Sequence, residues 1–225
     1  MFYGAAEFSR DTDIAILAEP HNLERLSKAL KELKAKCIAV PPFSSTYLRR
    51  GHAIHFRCFR ADVLNMRIDV MSVMRRVAAF KDLWERRTTI QLNSSEKYEL
   101  MSLPDLVQAK KTQRDKDWPM IRRLVEAHYI TYQGKPTSEQ ISFWLREART
   151  SRLLIELAGK YPFERTLLMK ERPLLSFAKA KDEVILQNAL EEEEKREREI
   201  DKMYWTPLKK ELEELRRRRL KKANE

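Results

Sequence analysis

The 225-residue chain contains little glycine and little cysteine. It has four glycines, and none of them belongs to a Gly-rich phosphate loop, so P-loop and Rossmann nucleotide sites are excluded. The two cysteines, Cys37 and Cys58, have no metal-ligand spacing and fall in apolar, strand-like runs, which predicts buried free thiols. No apolar run approaches roughly 18 residues, and the start lacks a signal-peptide pattern. We therefore expect a soluble, cytoplasmic protein with no membrane partner.

Charge, in contrast, is abundant and unevenly distributed. The formal net charge is +11, and 31 basic and 21 acidic side chains lie in residues 1–178. Within this part, residues 49–87 hold ten basic and four acidic side chains. Such a basic stretch favours partners that carry phosphate, although a solvated basic surface has the same composition.

The hydrophobic periodicity predicts an α+β fold. Strand-like and helix-like patterns mix in about the first 130 residues, and only helical patterns follow. The predicted strands are 13–18, 37–43, 52–60 and 66–71, with a hairpin over 88–103, and the first helices are 22–36, 102–111 and 114–129. We expect three regions: an α/β domain over 1–132, a helical segment over 133–178 and long charged helices over 179–225.

The last region contains a helix that we expect to begin at Thr206 and Pro207, which have the residue types of an N-cap and a first turn. A leucine stripe over 208–215 can pack on the rest of the chain or on a second subunit, and the sequence leaves both open. The spacing also predicts ion pairs between glutamates 213 and 214 and the arginines four residues later.

Three aspartates form the strongest candidate site. Asp11 and Asp13 start a predicted strand, and the period of two places both carboxylates on one face. Asp69 lies on the non-core face of another predicted strand. Three carboxylates from neighbouring strands can hold one or two Mg²⁺ ions, whereas Asp before a strand is also a common turn former. His55 and Arg57 share a strand face that could lie beside Asp69, as substrate contacts or as ordinary exposed residues.

Three separated segments, residues 3–17, 67–71 and 103–124, resemble the nucleotidyltransferase superfamily of the polymerase β type. The resemblance covers roughly residues 3–128, with the motifs in the family's order. The first segment matches at Gly4, Ser9, Asp11 and Asp13. The third matches the family's helix-loop-helix at Asp105, Lys110, Arg114, Lys116 and Asp117.

The resemblance implies a mixed sheet with the carboxylates at the edge of a cleft, and transfer of a nucleoside monophosphate from a nucleoside triphosphate to a hydroxyl. The implied cofactor is Mg²⁺ or Mn²⁺, and the acceptor could be a nucleic acid such as RNA. Similar bacterial proteins include the toxins of toxin–antitoxin pairs. The implied catalytic and metal-binding residues are Asp11, Asp13 and Asp69, and the implied nucleotide-binding residues are Gly4, Ser9, Lys110 and Arg114.

The chain departs from the family pattern at two places. The family's Gly-Gly or Gly-Ser turn, which holds the nucleotide phosphates, is expected before Gly4, and Glu7 stands where relatives often have a basic residue. Three explanations remain open: the chain is shortened relative to its relatives, another segment supplies the phosphate contacts, or the protein no longer catalyses. In the last case it would be a module that binds nucleic acid or a partner protein.

Overall fold

The computed structural model describes Tyr3 and residues 11–223, with side chains up to residue 221. The described chain divides into two units. The mixed unit contains residues 11–105 and 203–223, and the helical unit contains residues 106–202. The predicted α+β class is confirmed, because strands occur in one unit and helices in both. The boundaries of the three regions expected from the sequence stay predictions.

The mixed unit is built on a four-stranded sheet. Its strands are β1 (Asp11–Ala15), β2 (Lys36–Cys37), β3 (Ile54–Arg57) and β4 (Arg67–Met71), in the order β1-β4-β3-β2. Strand β1 is parallel to β4, whereas β3 is antiparallel to both β4 and β2, so the sheet is mixed. Strands β5 (Thr88–Gln91) and β6 (Lys97–Leu100) form a separate antiparallel pair, which confirms the predicted hairpin.

The mixed unit contains four helices besides the last part of the C-terminal helix. They are α1 (Pro20–Glu32), α2 (Ser45–Arg49), α3 (Phe80–Glu85) and the start of α4 (Leu103–Lys110), with a 3₁₀ turn at Ala61–Val63. Helix α2 forms where no helix was predicted, because the Ser44 side chain accepts the Thr46 N–H as an N-cap. The predicted strand 37–43 is observed only as Lys36–Cys37, and Pro41 and Pro42 farther along cannot donate to a strand ladder.

The core of the mixed unit lies against one face of the four-stranded sheet. Alternate residues of β3 and β4 point into it, as period-two patterning requires. One cluster of buried apolar side chains consists of Ile16, Ala18, Leu30, Leu48, Ile54, Phe56, Cys58, Ile68 and Val70. Cys37 and Cys58 are both free thiols, as predicted, with Cys58 buried and Cys37 half-buried.

The helical unit contains the rest of α4 and the helices α5 (Asp117–Tyr132), α6 (Ser138–Glu147), α7 (Ser151–Lys160), α8 (Pro162–Leu168), α9 (Leu175–Ala180) and the first part of α10 (Glu183–Ala223). The predicted capping box of α6 is confirmed, because Thr137 and Gln140 each accept the other's backbone N–H. Trp144 is fully buried among these helices. None of the helices in residues 11–223 is long and apolar enough to cross a membrane.

The predicted helix start at Thr206 is wrong, because α10 continues through Pro207. A proline inside a helix removes one hydrogen bond and costs about 3 kcal/mol. Contacts made beyond it oppose this cost. Leu208 is buried, and Glu211 binds both Arg50 and His52. Through Glu211 this part of α10 is therefore bound to the rest of the mixed unit, and whether a second subunit contacts the leucine stripe stays a prediction.

Candidate active site

The parallel strands β1 and β4 bring the three predicted carboxylates to one face of the sheet. Asp13 pairs in register with Asp69, and Asp11 pairs with Arg67. Residues directly opposite each other on neighbouring strands point to the same side, and residues two apart on one strand share that side. Because Ile68 is buried in the core, Asp69 and its partners lie on the opposite face.

The three carboxylates differ in their surroundings. Asp11 and Asp13 are exposed, whereas Asp69 is only 8% exposed. Arg67 holds Asp69 through two parallel hydrogen bonds, from Nε to Oδ1 at 2.8 Å and from Nη2 to Oδ2 at 2.9 Å. The imidazole Nδ1 of His55, which pairs with Asp69 across β3 and β4, lies 2.8 Å from Oδ1. Both oxygens of Asp69 are therefore engaged.

Electrostatics keep the carboxyl group of Asp69 ionised, and this charge determines the tautomer of His55. Burial of Asp69 would raise the pKa of its carboxyl group, but hydrogen bonds from His55 and Arg67 outweigh this effect and hold the pKa below its ordinary value. An ionised carboxylate only accepts hydrogen bonds, so the Nδ1 atom of His55 must be the donor. The Nη2 atom of Arg67 lies 3.1 Å from this Nδ1. Because both atoms are then donors, they do not hydrogen-bond to each other, and Nη2 donates to Asp69 instead.

Arg67 is the fixed cation of the site. Its hydrogen bond to Asp69 is the main cause that raises the pKa of its guanidinium, and the negative charges of Asp11 and Asp13 raise it further. Arg67 thus lies in the field of all three carboxylates. The period-two pattern places Arg67 and Asp69 on one strand face, but no motif in the sequence indicates that Arg67 binds Asp69.

The donor chemistry suits a hard divalent cation only in part. Asp11 and Asp13 offer two exposed carboxylates on one strand face, and Mg²⁺ in nucleotide sites is usually held by one or two carboxylates together with phosphate oxygens. Asp69 accepts three hydrogen bonds from Arg67 and His55, so of the roughly four lone-pair sites of a carboxylate one is left, on Oδ2. In the described chain, no three His, Cys, Asp or Glu side chains are close enough together to hold a metal ion.

The structure describes two of the four predicted nucleotide-binding residues. Gly4 and Ser9, together with Glu7, lie outside the described residues. Lys110 and Arg114 belong to the helical unit. There, the exposed Arg114 donates from Nε to the buried Asp117 at 2.8 Å, so it stabilises the turn before α5. Lys110 is the last residue of α4 and is half-buried.

Two further residues of the resemblance have structural contacts. Asp105 accepts hydrogen bonds from Ser102 at the start of α4 and from Arg86, whose Nη2 lies 2.7 Å from Oδ1. Asp117, at the start of α5, also accepts from Thr112. Lys116 is exposed. The structure therefore gives Asp105 and Asp117 roles in holding helix starts.

The basic stretch 49–87 carries less open positive charge than its composition indicates. Five of its arginines form ion pairs with carboxylates: Arg50 with Glu211, Arg60 with Asp62, Arg67 with Asp69, Arg86 with Asp105 and Arg87 with Glu99. Three of these acids lie beyond residue 87 in the sequence, so a local count of charges could not find them.

Comparison of the chain with protein-family models, with curated proteins and with solved structures gave no significant match. Function must therefore be inferred from the side chains of this chain.

Proposed function

We propose that the protein is a metal-dependent nucleotidyltransferase of the polymerase β type, which transfers a nucleoside monophosphate from a nucleoside triphosphate to a hydroxyl acceptor. The observation that carries the proposal is the register of β1 and β4, which aligns Asp11, Asp13 and Asp69 on one sheet face. The mixed sheet and the order of the three resembling segments support it. A cytoplasmic location and an RNA acceptor are part of the same proposal.

In this proposal Asp11 and Asp13 hold Mg²⁺ or Mn²⁺, and Asp69 is the third carboxylate of the site. When bound, such a cation neutralises triphosphate charge and activates the attacking hydroxyl. Arg67 and His55 fix the orientation of Asp69 through the hydrogen bonds described above. As the resemblance implies, the nucleotide phosphates would be bound by Gly4, Ser9, Lys110 and Arg114.

A nucleotide-transfer assay tests the proposal. The full-length protein is incubated with Mg²⁺ or Mn²⁺, each α-labelled nucleoside triphosphate and total cellular RNA, and label in RNA or protein is measured. Asp11→Asn and Asp13→Asn are each expected to abolish transfer. Asp62→Asn is the matched control, because Asp62 is an exposed aspartate paired with Arg60, and it should retain activity. Equal transfer by Asp13→Asn and the parent would overturn the proposal.

One observation favours a second candidate, a catalytically inactive module that retains the fold and binds nucleic acid or a partner protein. The Arg67 guanidinium binds both oxygens of Asp69, so a fixed positive charge already lies beside the third carboxylate and repels a divalent cation there. Mn²⁺ binding followed by electron paramagnetic resonance separates the two candidates. The transferase predicts that Mn²⁺ binds the parent and is lost in Asp13→Asn, whereas the module predicts no specific binding by either protein.

A further inference from the structure

The end of helix α10 is the most basic segment of the chain. Six of the seven residues from 216 to 222 are arginine or lysine, and no acidic residue lies among them. The preceding part, residues 179–215, contains eight basic and twelve acidic residues. Positive and negative charge are therefore separated along residues 179–225: the acidic excess lies in residues 179–215 and the basic excess follows it. We call residues 216–222 the basic helix end.

The side chains that the structure describes in this segment, those of residues 216–221, have no partners within the described chain. Arg216–Arg219 and Lys221 are all exposed, and in the described chain their side chains form no ion pair or hydrogen bond. The predicted pairs of Glu213 and Glu214 with the arginines four residues later do not form. This is the opposite of the stretch 49–87, in which five arginines are neutralised by carboxylates.

Stabilisation of the helix does not explain so many cations. Basic side chains in the last turn interact favourably with the helix dipole, by about 0.3–1 kcal/mol each, but the effect is limited to that turn. Four consecutive arginines, 216–219, extend over more than one turn and repel one another. The repulsion among these arginines is offset when a polyanion from outside the chain binds them.

The distribution of charge around the helix indicates the kind of polyanion. Successive residues are about 100° apart, so four consecutive arginines place positive charge on all sides. A helix that lies on a membrane instead needs an apolar face opposite its basic face. Among the described residues of the basic helix end, Leu220 is the single apolar side chain, at 65% exposure, so this segment lacks an apolar face.

We infer that the basic helix end binds the phosphate backbone of a nucleic acid. Phosphodiester groups offer a negative charge at every nucleotide, and exposed Arg and Lys bind them by releasing condensed counterions. The inference does not depend on the proposed transferase activity, since it concerns binding without nucleotide or metal. The bound nucleic acid would be the acceptor of the proposed transferase, or the ligand of the inactive binding module.

Fluorescence anisotropy with the full-length protein tests the inference. The probes are a labelled 20-nucleotide RNA, the DNA of the same sequence and its duplex, titrated without Mg²⁺ between 50 and 300 mM NaCl. The variant Arg217→Gln/Arg218→Gln/Arg219→Gln is expected to bind single strands roughly 30- to 100-fold more weakly near 0.1 M salt. Its salt slope should fall by about two, at about 0.7 per lost phosphate contact.

The matched control removes the same charge elsewhere. Arg25, Lys28 and Lys31 are exposed on α1, and their triple glutamine variant should bind within about threefold of the parent. A triple lysine variant at residues 217–219 restores the charge and should recover most of the affinity. Circular dichroism spectra should match in all proteins, because glutamine and arginine have similar helix propensities.

Two results would overturn the inference. Equal weakening by the α1 variant would show that net charge, and not this segment, drives binding. Absence of nucleic-acid binding combined with arginine-dependent binding to phosphatidylserine vesicles would show a membrane partner instead. Comparison of the RNA, DNA and duplex probes identifies which nucleic acid is preferred. If the parent protein bound RNA but transferred no nucleotide, the result would count against the proposed transferase activity and not against this inference.

Discussion

Arg67 and Asp69 lie two residues apart on β4 and form two parallel hydrogen bonds on one face of the sheet, with N–O distances of 2.8 and 2.9 Å. The pair places one cation among three carboxylates that the strand register brings together. This cation offsets part of their mutual repulsion when no divalent ion is bound. It also makes Asp69 the most constrained of the three, while Asp11 and Asp13 face solvent.

Asp69→Asn should lower the free energy of unfolding at pH 7 by about 1–3 kcal/mol, because charge-assisted hydrogen bonds to Arg67 and His55 are lost. The pKa of Asp69 is lowered in the folded protein. Its stabilisation is therefore complete above the unfolded pKa of about 4 and is lost as the pH falls through the folded value. Urea unfolding at pH 7 and pH 2.5 measures the difference between variant and parent, which should shrink in acid.

The control for this prediction is Asp62→Asn, which disrupts an ion pair with Arg60 between exposed side chains. It should unfold close to the parent at both pH values, because such pairs contribute little. A difference between Asp69→Asn and the parent that stays constant from pH 7 to 2.5 would contradict the assigned role of the carboxylate charge.

Gly51→Ala should destabilise the mixed unit by about 1–3 kcal/mol, since Gly51 has a φ of +95°, a conformation that alanine adopts only with strain. A second cost comes from Tyr204, whose hydroxyl oxygen lies where the new methyl group would be. In a Tyr204→Phe background the nearest ring carbon is 3.5 Å away, so only the strain should remain. A double-mutant cycle of thermal unfolding measures the difference between the two costs.

Gly134→Ala is the matched control, because nothing lies within 4 Å of a methyl group added there. It should leave stability unchanged or raise it by up to about 1 kcal/mol. If Gly51→Ala cost the same in both backgrounds, the Tyr204 hydroxyl would not be in contact with the Gly51 backbone.

Local patterns in the sequence predicted much of the sheet and little of its connections. Period two in residues 67–71 and the Asp-x-Asp spacing fixed which side chains share a strand face. The parallel register of Asp13 with Asp69 joins segments more than 50 residues apart, and no local pattern encodes such pairing. The resemblance to a known family, not the spacing, indicated that these strands are neighbours.

Tertiary contacts explain two departures from the local patterns. Local propensity predicts a helix start at Thr206 and Pro207, but Leu208 is buried and Glu211 binds the distant Arg50 and His52, which hold the helix beyond the proline. The local composition of residues 49–87 is strongly basic, but Arg50 pairs with Glu211 and Arg86 with Asp105. Local rules fail where tertiary contacts compensate the local cost.

Glu99 should stay ionised to an unusually low pH. Hydrogen bonds from Thr89, at 2.6 Å, and from Lys97 lower the pKa of Glu99 to about 2. Thr89→Val removes the hydrogen bond that lowers the pKa of Glu99 most, so this pKa should rise toward its usual value. Carboxyl ¹³C chemical shifts followed from pH 6 to 1.5 give the midpoint. Thr88→Val, on the other face of β5, is the control, and the same midpoint in all three proteins would contradict the assigned hydrogen bond.

Glu193→Gln should destabilise the helical unit by about 3–5 kcal/mol, because it leaves buried cations without their counter-charge. Glu193 accepts from Arg172 at 2.8 Å and also binds Arg149. Burial opposes ionisation of Glu193, but the charge of Arg172 outweighs it and lowers the pKa of the carboxyl group. This stabilisation is therefore complete at pH 7 and is lost in acid as the carboxylate takes up a proton.

The neighbouring residue supplies the control for this last prediction. Glu192 has a side chain that is 72% exposed, against 21% for Glu193, so Glu192→Gln should unfold like the parent in urea at pH 7. Arg172 is 4% exposed and also donates to the carbonyl oxygens of Leu145 and Ala148, so it cannot move into solvent when its partner is neutralised. Equal stability of the two glutamine variants would mean that these carbonyls alone satisfy Arg172, and that the ion pair adds nothing to the fold.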